Sequence, residues 1–260
     1  LVSDWSSDVC SSDLVPTAEY NPFECVKTNI NGATNLIDTC IDRGVKRVIA
    51  LSTDKASSPI NLYGASKLAS DKLFTASNSS YAGGHKTRFS VVRYGNVMGS
   101  RGSVIPFFQN QKSEGIIPIT DDRMTRFSIT LEQGVDFVLF CLNNMWGGEL
   151  FIPKIPSYRI LDVAKAIAPD AKLKIIGIRP GEKLHEEMIT ESDAESTVDL
   201  GQYFAILPSY QDQAYKLDYI NQNSNAGPYT YGAYSSDSNP DFLSVEQLKE
   251  LIENMFSEHN

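Results

Sequence analysis

Cysteine, histidine and tryptophan are scarce in this 260-residue chain, at four, three and two residues. The cysteines (Cys10, Cys25, Cys40, Cys141) show no C-x-x-C spacing and the histidines are scattered, so no metal site is expected. Cys25, Cys40 and Cys141 sit in helix-like apolar patterns and read as buried thiols in a reducing cytoplasm. No apolar run approaches the roughly 20 residues of a membrane span. Positive charge is short: 23 Lys and Arg against 32 Asp and Glu leave a net charge of −9. That balance argues against nucleic acid or an anionic membrane as a general partner. Solenoid-length repeats are absent, and so is any G-x-G-x-x-G turn.

What is present is enough apolar residue, 42 %, for a packed core in one large or two small domains. Helical spacing runs through Phe23–Arg43 and stops at Gly44. Buried strands are expected at Val45–Leu51 and Phe89–Tyr94, with helices at Leu62–Ser77, Val104–Gln111 and Leu131–Asn143. Leu150–Pro153 reads as a strand, Ile160–Ala168 as a helix and Leu173–Ile178 as a strand. This alternation implies an α/β fold with a mostly parallel sheet. Asn221–Asn239 is rich in Asn, Ser, Gly, Pro and Tyr and reads as a loop, followed by a terminal helix over Leu243–Phe256 with Ser244 as its N-cap.

The stretch Leu51–Lys67, LSTDKASSPINLYGASK, carries the chemistry. A strand end delivers Thr53, Asp54 and Lys55 to one spot. A following helix then delivers Tyr63 and Lys67, four residues apart, from one face. Proton-handling side chains converging in this way suit redox and acid–base work on a polyol.

With that context the segment resembles the extended short-chain dehydrogenase/reductase family. More narrowly it resembles nucleotide-sugar 4,6-dehydratases acting on UDP-N-acetylglucosamine, of the C5-inverting type that opens the pseudaminic acid route to flagellin and surface glycans. The likeness runs from Val15 to about Leu207. It includes Val15–Asn35, Arg93–Phe108, Pro118–Thr130, Phe151–Pro156 and Ile178–Glu186. It implies a Rossmann-like doubly wound parallel sheet with a smaller C-terminal substrate domain, NADP or NAD as cofactor, a nucleotide sugar as substrate and a homo-oligomer.

The resemblance also implies roles. C4 of the sugar is oxidised, water leaves across C5–C6, and the hydride returns to C6. Tyr63 takes the C4 hydroxyl proton, and Lys67 favours its phenolate and bonds the nicotinamide ribose. Lys55 removes the C5 proton, which requires a neutral amine, desolvated or beside another cation. Asp54 protonates the departing hydroxyl and Thr53 bonds the C4 oxygen. Val97, Met98, Gly99, Ser100 and Arg101 pass the cofactor. Asn96, Thr120, Arg126, Arg179 and Glu182 contact the substrate, the arginines as phosphate or ribose contacts. His185 reads as an ordinary surface or core histidine. A nucleotide-sugar epimerase or reductase shares Tyr-x-x-x-Lys but has no need of Asp54-Lys55.

The missing glycine-rich turn leads to an expectation about extent. Residues 1–14, Ser/Asp-rich with SSD twice, read as a non-native or disordered leader. A βαβ half of roughly 100 residues is expected before Val15 in the parent protein. Residues 15–102 then form the rest of the dinucleotide-binding domain, 103–220 mainly the substrate domain, and 221–260 a linker with the terminal helix. On that division the activity belongs to the parent. The alternative for the chain by itself is an inactive fragment that only binds a nucleotide sugar.

Overall fold

The apolar run Arg47–Thr53 forms β1, and in this computed structural model, which describes residues 14–78, 84–100 and 103–257, β1 pairs in parallel with β2 (Arg88–Tyr94) along its whole length. The register runs from Arg47↔Arg88 to Thr53↔Tyr94, so both strands end side by side. Of the leader 1–14, residues 1–13 lie outside the described residues, and so does Arg101.

Before β1 come the helices α1 (Leu14–Tyr20), α2 (Pro22–Val26) and α3 (Gly32–Asp42). A π-helical turn, Lys27–Asn31, joins the last two. After β1 comes α4 (Leu62–Ala76). β3 (Asn96–Val97), α5 (Val104–Gln111), β4 (Ile116–Ile119), β5 (Thr125–Ile129), α6 (Leu131–Asn144) and β6 (Leu150–Pro153) follow. Next are β7 (Ser157–Arg159), α7 (Ile160–Ile167), β8 (Lys172–Ile175), β9 (Glu187–Ile189) and α8 (Glu191–Ala194). The chain ends with β10 (Thr197–Asp199), β11 (Tyr203–Ile206), α9 (Gln213–Gln222), β12 (Gly227–Pro228), β13 (Tyr234–Ser235) and α10 (Val245–Ser257).

The main sheet has the order β1-β2-β6-β11-β10-β12. Its first three strands are parallel and the rest are antiparallel. Helices α4 and α6 both lie against β1 and β2. Buried Phe89, Val91, Phe137, Cys141, Phe151 and Phe204 form its core. A second core gathers Ile105, Phe108, Ile117, Ile119, Val163 and Leu248. It is organised by α7, whose Ile160, Val163, Ala164 and Ile167 make one apolar stripe at helical spacing.

These cores do not follow the expected division at residue 103. The 103–220 stretch returns to the main sheet through α6, β6, β10 and β11, because β6 (Leu-Phe-Ile-Pro) is buried along its whole length and pairs with β2. The second core instead combines α5, β4, α7 and the terminal helix α10. The stretch 221–239 is not a solvated linker. Tyr229 and Tyr234 pack on Phe204 at 5.1 and 5.3 Å between ring centres. The expected strand to Ile178 stops at Ile175, and Gly177 follows with φ 91°. Of the three described thiols only Cys141 is fully buried; Cys25 and Cys40 are half-buried, and all three are free.

Candidate active site

The site forms where β1 and β2 end. Thr53 is still extended, and its hydroxyl caps the single turn Asp54–Ala56 that follows, accepting from the Lys55 amide at 3.4 Å. The same hydroxyl donates to Asp54 Oδ1 at 3.0 Å. Its one hydrogen is therefore engaged by Asp54 rather than offered to a ligand. Ser58, next in the loop, holds a left-handed φ of 41°, unusual for a residue with a side chain, and its hydroxyl bonds Glu187 Oε1 at 2.8 Å.

Asn61 then caps α4 by accepting from the Gly64 amide at 2.7 Å. Gly64 lets the helix start touch the Asp54–Ala56 turn, since a Cβ there would stand 2.2 Å from the Lys55 carbonyl oxygen. The helix presents buried Tyr63 and half-buried Lys67 from one face. The Lys67 ammonium reaches back to the Leu51 carbonyl at 2.7 Å. From the other side, the π-helical turn aims Asn29 at Ser66 Oγ (2.9 Å), and Ser66 donates to the Tyr63 carbonyl at 2.8 Å. Asn29 and Gly64 were not singled out from the sequence. The glycine directly after Tyr63 was the available signal; the wide turn that aims Asn29 shows only in the fold.

Lys55 lies between two carboxylates. Its Nζ is 3.2 Å from Asp54 Oδ1 and 3.7 Å from Glu186 Oε1. Arg126 Nε stands 3.8 Å from the same Glu186 oxygen. Burial alone would lower the Lys55 proton affinity, but the charges of Asp54 and Glu186 outweigh it and hold it above the ordinary lysine value. This corrects the expectation that desolvation or a neighbouring cation leaves Lys55 neutral. Glu186 is pushed up by burial and by Asp54. Tyr158, fully buried beside the cluster, is pushed up to about 12 by burial. Asp54 Oδ2 and Glu186 Oε2 are buried with no hydrogen-bond partner among the described residues.

Arg126 is not offered to a phosphate. It is buried, and its guanidinium donates to the carbonyls of Thr125 (2.7 Å), Leu184 (3.1 Å) and Lys183 (3.1 Å). The Lys183 and Leu184 carbonyls belong to the strap 178–187, which lies across the Asp54–Ala56 turn. Asn61 Nδ2 bonds the Gly181 carbonyl at 2.8 Å, so the strap is also tied to the start of α4. The strap leaves Arg179 exposed, with Glu182 half-buried beside it. Thr120 bonds Met124 Sδ at 3.2 Å. His185 Nδ1 meets Thr125 Oγ1 at 2.8 Å, a structural contact.

Beyond β2, Gly95 allows β5 to approach, since a Cβ there would fall 2.6 Å from Phe127 Cβ. Asn96 pairs with Ser128, yet its side-chain oxygen is buried and unpartnered among the described residues, as is Ser100 Oγ. Gly99 turns at φ 71° directly under Met255 of α10. The unpartnered side-chain oxygens of Asn96 and Ser100, in the segment that leaves the carboxyl end of β2, fit polar contacts to the nicotinamide side of a dinucleotide. No group of three or more His, Cys, Asp or Glu among the described residues is placed to hold a metal. No helix of the described residues is long and apolar enough to cross a membrane.

The polysaccharide biosynthesis protein family matches residues 9–208. A Campylobacter jejuni UDP-N-acetylglucosamine 4,6-dehydratase (inverting) is 55 % identical over 244 residues, 92 % of this chain and 72 % of that protein. A Rickettsia felis UDP-glucose 4-epimerase is 38 % identical, over 93 % of this chain and 71 % of its own length. Among solved structures, Pen from Bacillus thuringiensis superposes with a TM-score of 0.83 at 38 % identity, covering 95 % of this chain and 75 % of Pen.

Proposed function

This chain belongs to the polysaccharide biosynthesis protein family, and from that premise we propose that it is the catalytic part of a UDP-N-acetylglucosamine 4,6-dehydratase of the inverting kind. The observation that carries the reading is the Asp54–Lys55 ion pair at the end of β1, beside Tyr63 and Lys67 of α4. A 4,6-dehydratase needs both an acid and a base at C5–C6.

A bound nicotinamide, NADP or NAD, supplies the hydride acceptor for C4 and the donor for C6. Tyr63 removes the C4 hydroxyl proton, and Lys67 holds that end of the cofactor. Asn96 and Ser100 supply the unpartnered polar atoms against it. The resting pair, Asp54 carboxylate and Lys55 ammonium, has the right number of protons for elimination but in the wrong places. Transfer of one proton from Nζ to Oδ1, 3.2 Å away, yields a neutral amine and a carboxylic acid. The amine then takes the C5 proton and the acid gives its proton to the departing C6 hydroxyl. Loss of one water restores the ion pair. As the hydride returns to C6, C5 takes up one proton exchangeable with solvent. That proton balances the one Tyr63 took from the C4 hydroxyl, so none is consumed overall. Arg179 and Glu182, in the strap, contact the nucleotide, and Thr120 is a further contact near it. The free thiols are in keeping with work in the cytoplasm.

An epimerase is the second reading, favoured by the Rickettsia relative's name. That reaction returns the hydride to C4 and gives Asp54–Lys55 no task. Proton NMR of the full-length protein with UDP-N-acetylglucosamine or UDP-glucose separates the two. The dehydratase reading predicts a new 6-methyl signal and a 4-keto product. C4 inversion with no methyl signal would refute it.

A further inference from the structure

Two carboxylates face the Lys55 ammonium, and the chemistry above uses only one. We propose that Glu186 is a positioning residue that sets the proton affinity of Lys55 and ties it to the strap. The proposal rests on the reading of Lys55 as the C5 base.

Geometry separates Glu186 from an ordinary brace. Its backbone is clamped on both sides by fully buried Ser236: the Glu186 amide donates to Ser236 Oγ at 2.9 Å, and its carbonyl accepts from the Ser236 amide at 2.8 Å. The carboxylate is therefore aimed by the strand rather than by its own contacts. A brace would spend both oxygens on Arg126. Instead Arg126 gives its short hydrogen bonds to backbone carbonyls and stands off from Glu186 at 3.8 Å. Oε1 faces both cations, and Oε2 has no partner among the described residues although it is buried. A buried carboxylate oxygen left unbonded costs stability, so its retention calls for a use.

The groups around it come from several elements. The catalytic turn brings Asp54 and Lys55, α4 brings Tyr63, β5 brings Arg126, β7 brings Tyr158 and the strap brings Lys183. The neighbouring carboxylate of Glu187 is turned away onto Ser58. Among these, Asp54 and Glu186 are the carboxylates within 4 Å of Lys55 Nζ. An opposite charge at that range moves a pKa by about 1–3 units. Glu186 thus keeps Lys55 protonated and seated between substrate events, and the strap that carries Arg179 and Glu182 carries this control too.

The test reads Lys55 chemically and needs no turnover, so it stands apart from the fate of the dehydratase reading. Lysine modification by an amine-reactive reagent at mildly alkaline pH, followed by peptide mass spectrometry, reports the free-amine fraction of Lys55, with exposed Lys46 as the internal standard. Glu186→Gln is expected to raise the Lys55 rate about tenfold or more, and Glu186→Asp, which keeps the charge, to leave it near the native rate. An unchanged Lys55 rate in folded Glu186→Gln overturns the proposal. If Glu186→Gln does not fold, Lys55→Met gives the reciprocal measurement by carboxyl-carbon NMR. Loss of the ammonium should move the Glu186 titration to higher pH, and an unmoved titration overturns the proposal equally.

Discussion

Lys55 Nζ stands 3.2 Å from Oδ1 of its sequence neighbour Asp54. Adjacent residues on a strand point to opposite faces. These two converge because the strand ends at Thr53 and the chain enters a tight turn at Asp54. Removing either side chain should therefore remove one partner of a catalytic pair. In the full-length protein, Asp54→Ala or Lys55→Ala should slow dehydration by about 100-fold or more. Near-native turnover in both would take the pair out of the mechanism.

The pair also fixes a pH dependence. The reacting form, neutral Lys55 with protonated Asp54, holds as many protons as the resting ion pair. The elimination step should then be flat across neutral pH. It should fall only when the pair gains a proton on the acid side or loses one on the alkaline side. Because Lys55 is held above the ordinary lysine value, the alkaline fall comes late. C5 hydrogen exchange from a 4-keto substrate analogue isolates this step. A rate rising tenfold per pH unit through neutrality would show that Lys55 must first lose its proton to solvent.

Gly64 sets the fit between α4 and the turn. In Gly64→Ala the new Cβ meets the Lys55 carbonyl, a backbone atom that cannot swing aside. Overpacking of this kind costs about 1–3 kcal/mol, and the displaced turn should cost activity beyond the loss of stability. Thermal melting together with kcat on the folded fraction separates the two. Full activity in the folded fraction would mean that the turn tolerates the shift.

Much of this was legible in the sequence. Val104–Gln111, Leu150–Pro153 and the Leu62 start of α4 lie where periodicity and the apolar runs put them. The Thr53-Asp54-Lys55 and Tyr63/Lys67 groups meet because a strand end and a helix start meet. Glu186 could not be found that way. It lies 131 residues from Lys55, and only the folding of the strap over the turn joins them. Arg126 entered as a phosphate contact through the resemblance, and its sequence neighbourhood carries no sign of the carbonyls it binds. The second core escaped a contiguous division because its helices α5, α7 and α10 are spread from residue 104 to 257.

Behind the site, Arg93 and Asp71 form a buried pair at 3.3 Å, which Ser52 joins at 2.6 Å and which reaches the Met188 carbonyl at 2.9 Å. It ties α4 to β1, β2 and β9. Asp71→Asn strands a buried guanidinium and should destabilise the fold by about 3–5 kcal/mol. Urea unfolding measures it. A change below about 1 kcal/mol, the scale of a surface pair, would show that the pair is not braced as described.

The central claim is that Lys55 takes the C5 proton after Tyr63 has opened the way at C4. The most direct test follows UDP-N-acetylglucosamine in deuterated water with Lys55→Met and with the native full-length protein, reading reduced nicotinamide by absorbance and C5 deuterium by NMR. Native protein should give a 6-deoxy-4-keto sugar carrying solvent deuterium at C5, whereas Lys55→Met should still reduce the nicotinamide yet place no deuterium at C5 and release no water. Deuterium at C5 and dehydrated product from Lys55→Met at the native rate would contradict the account.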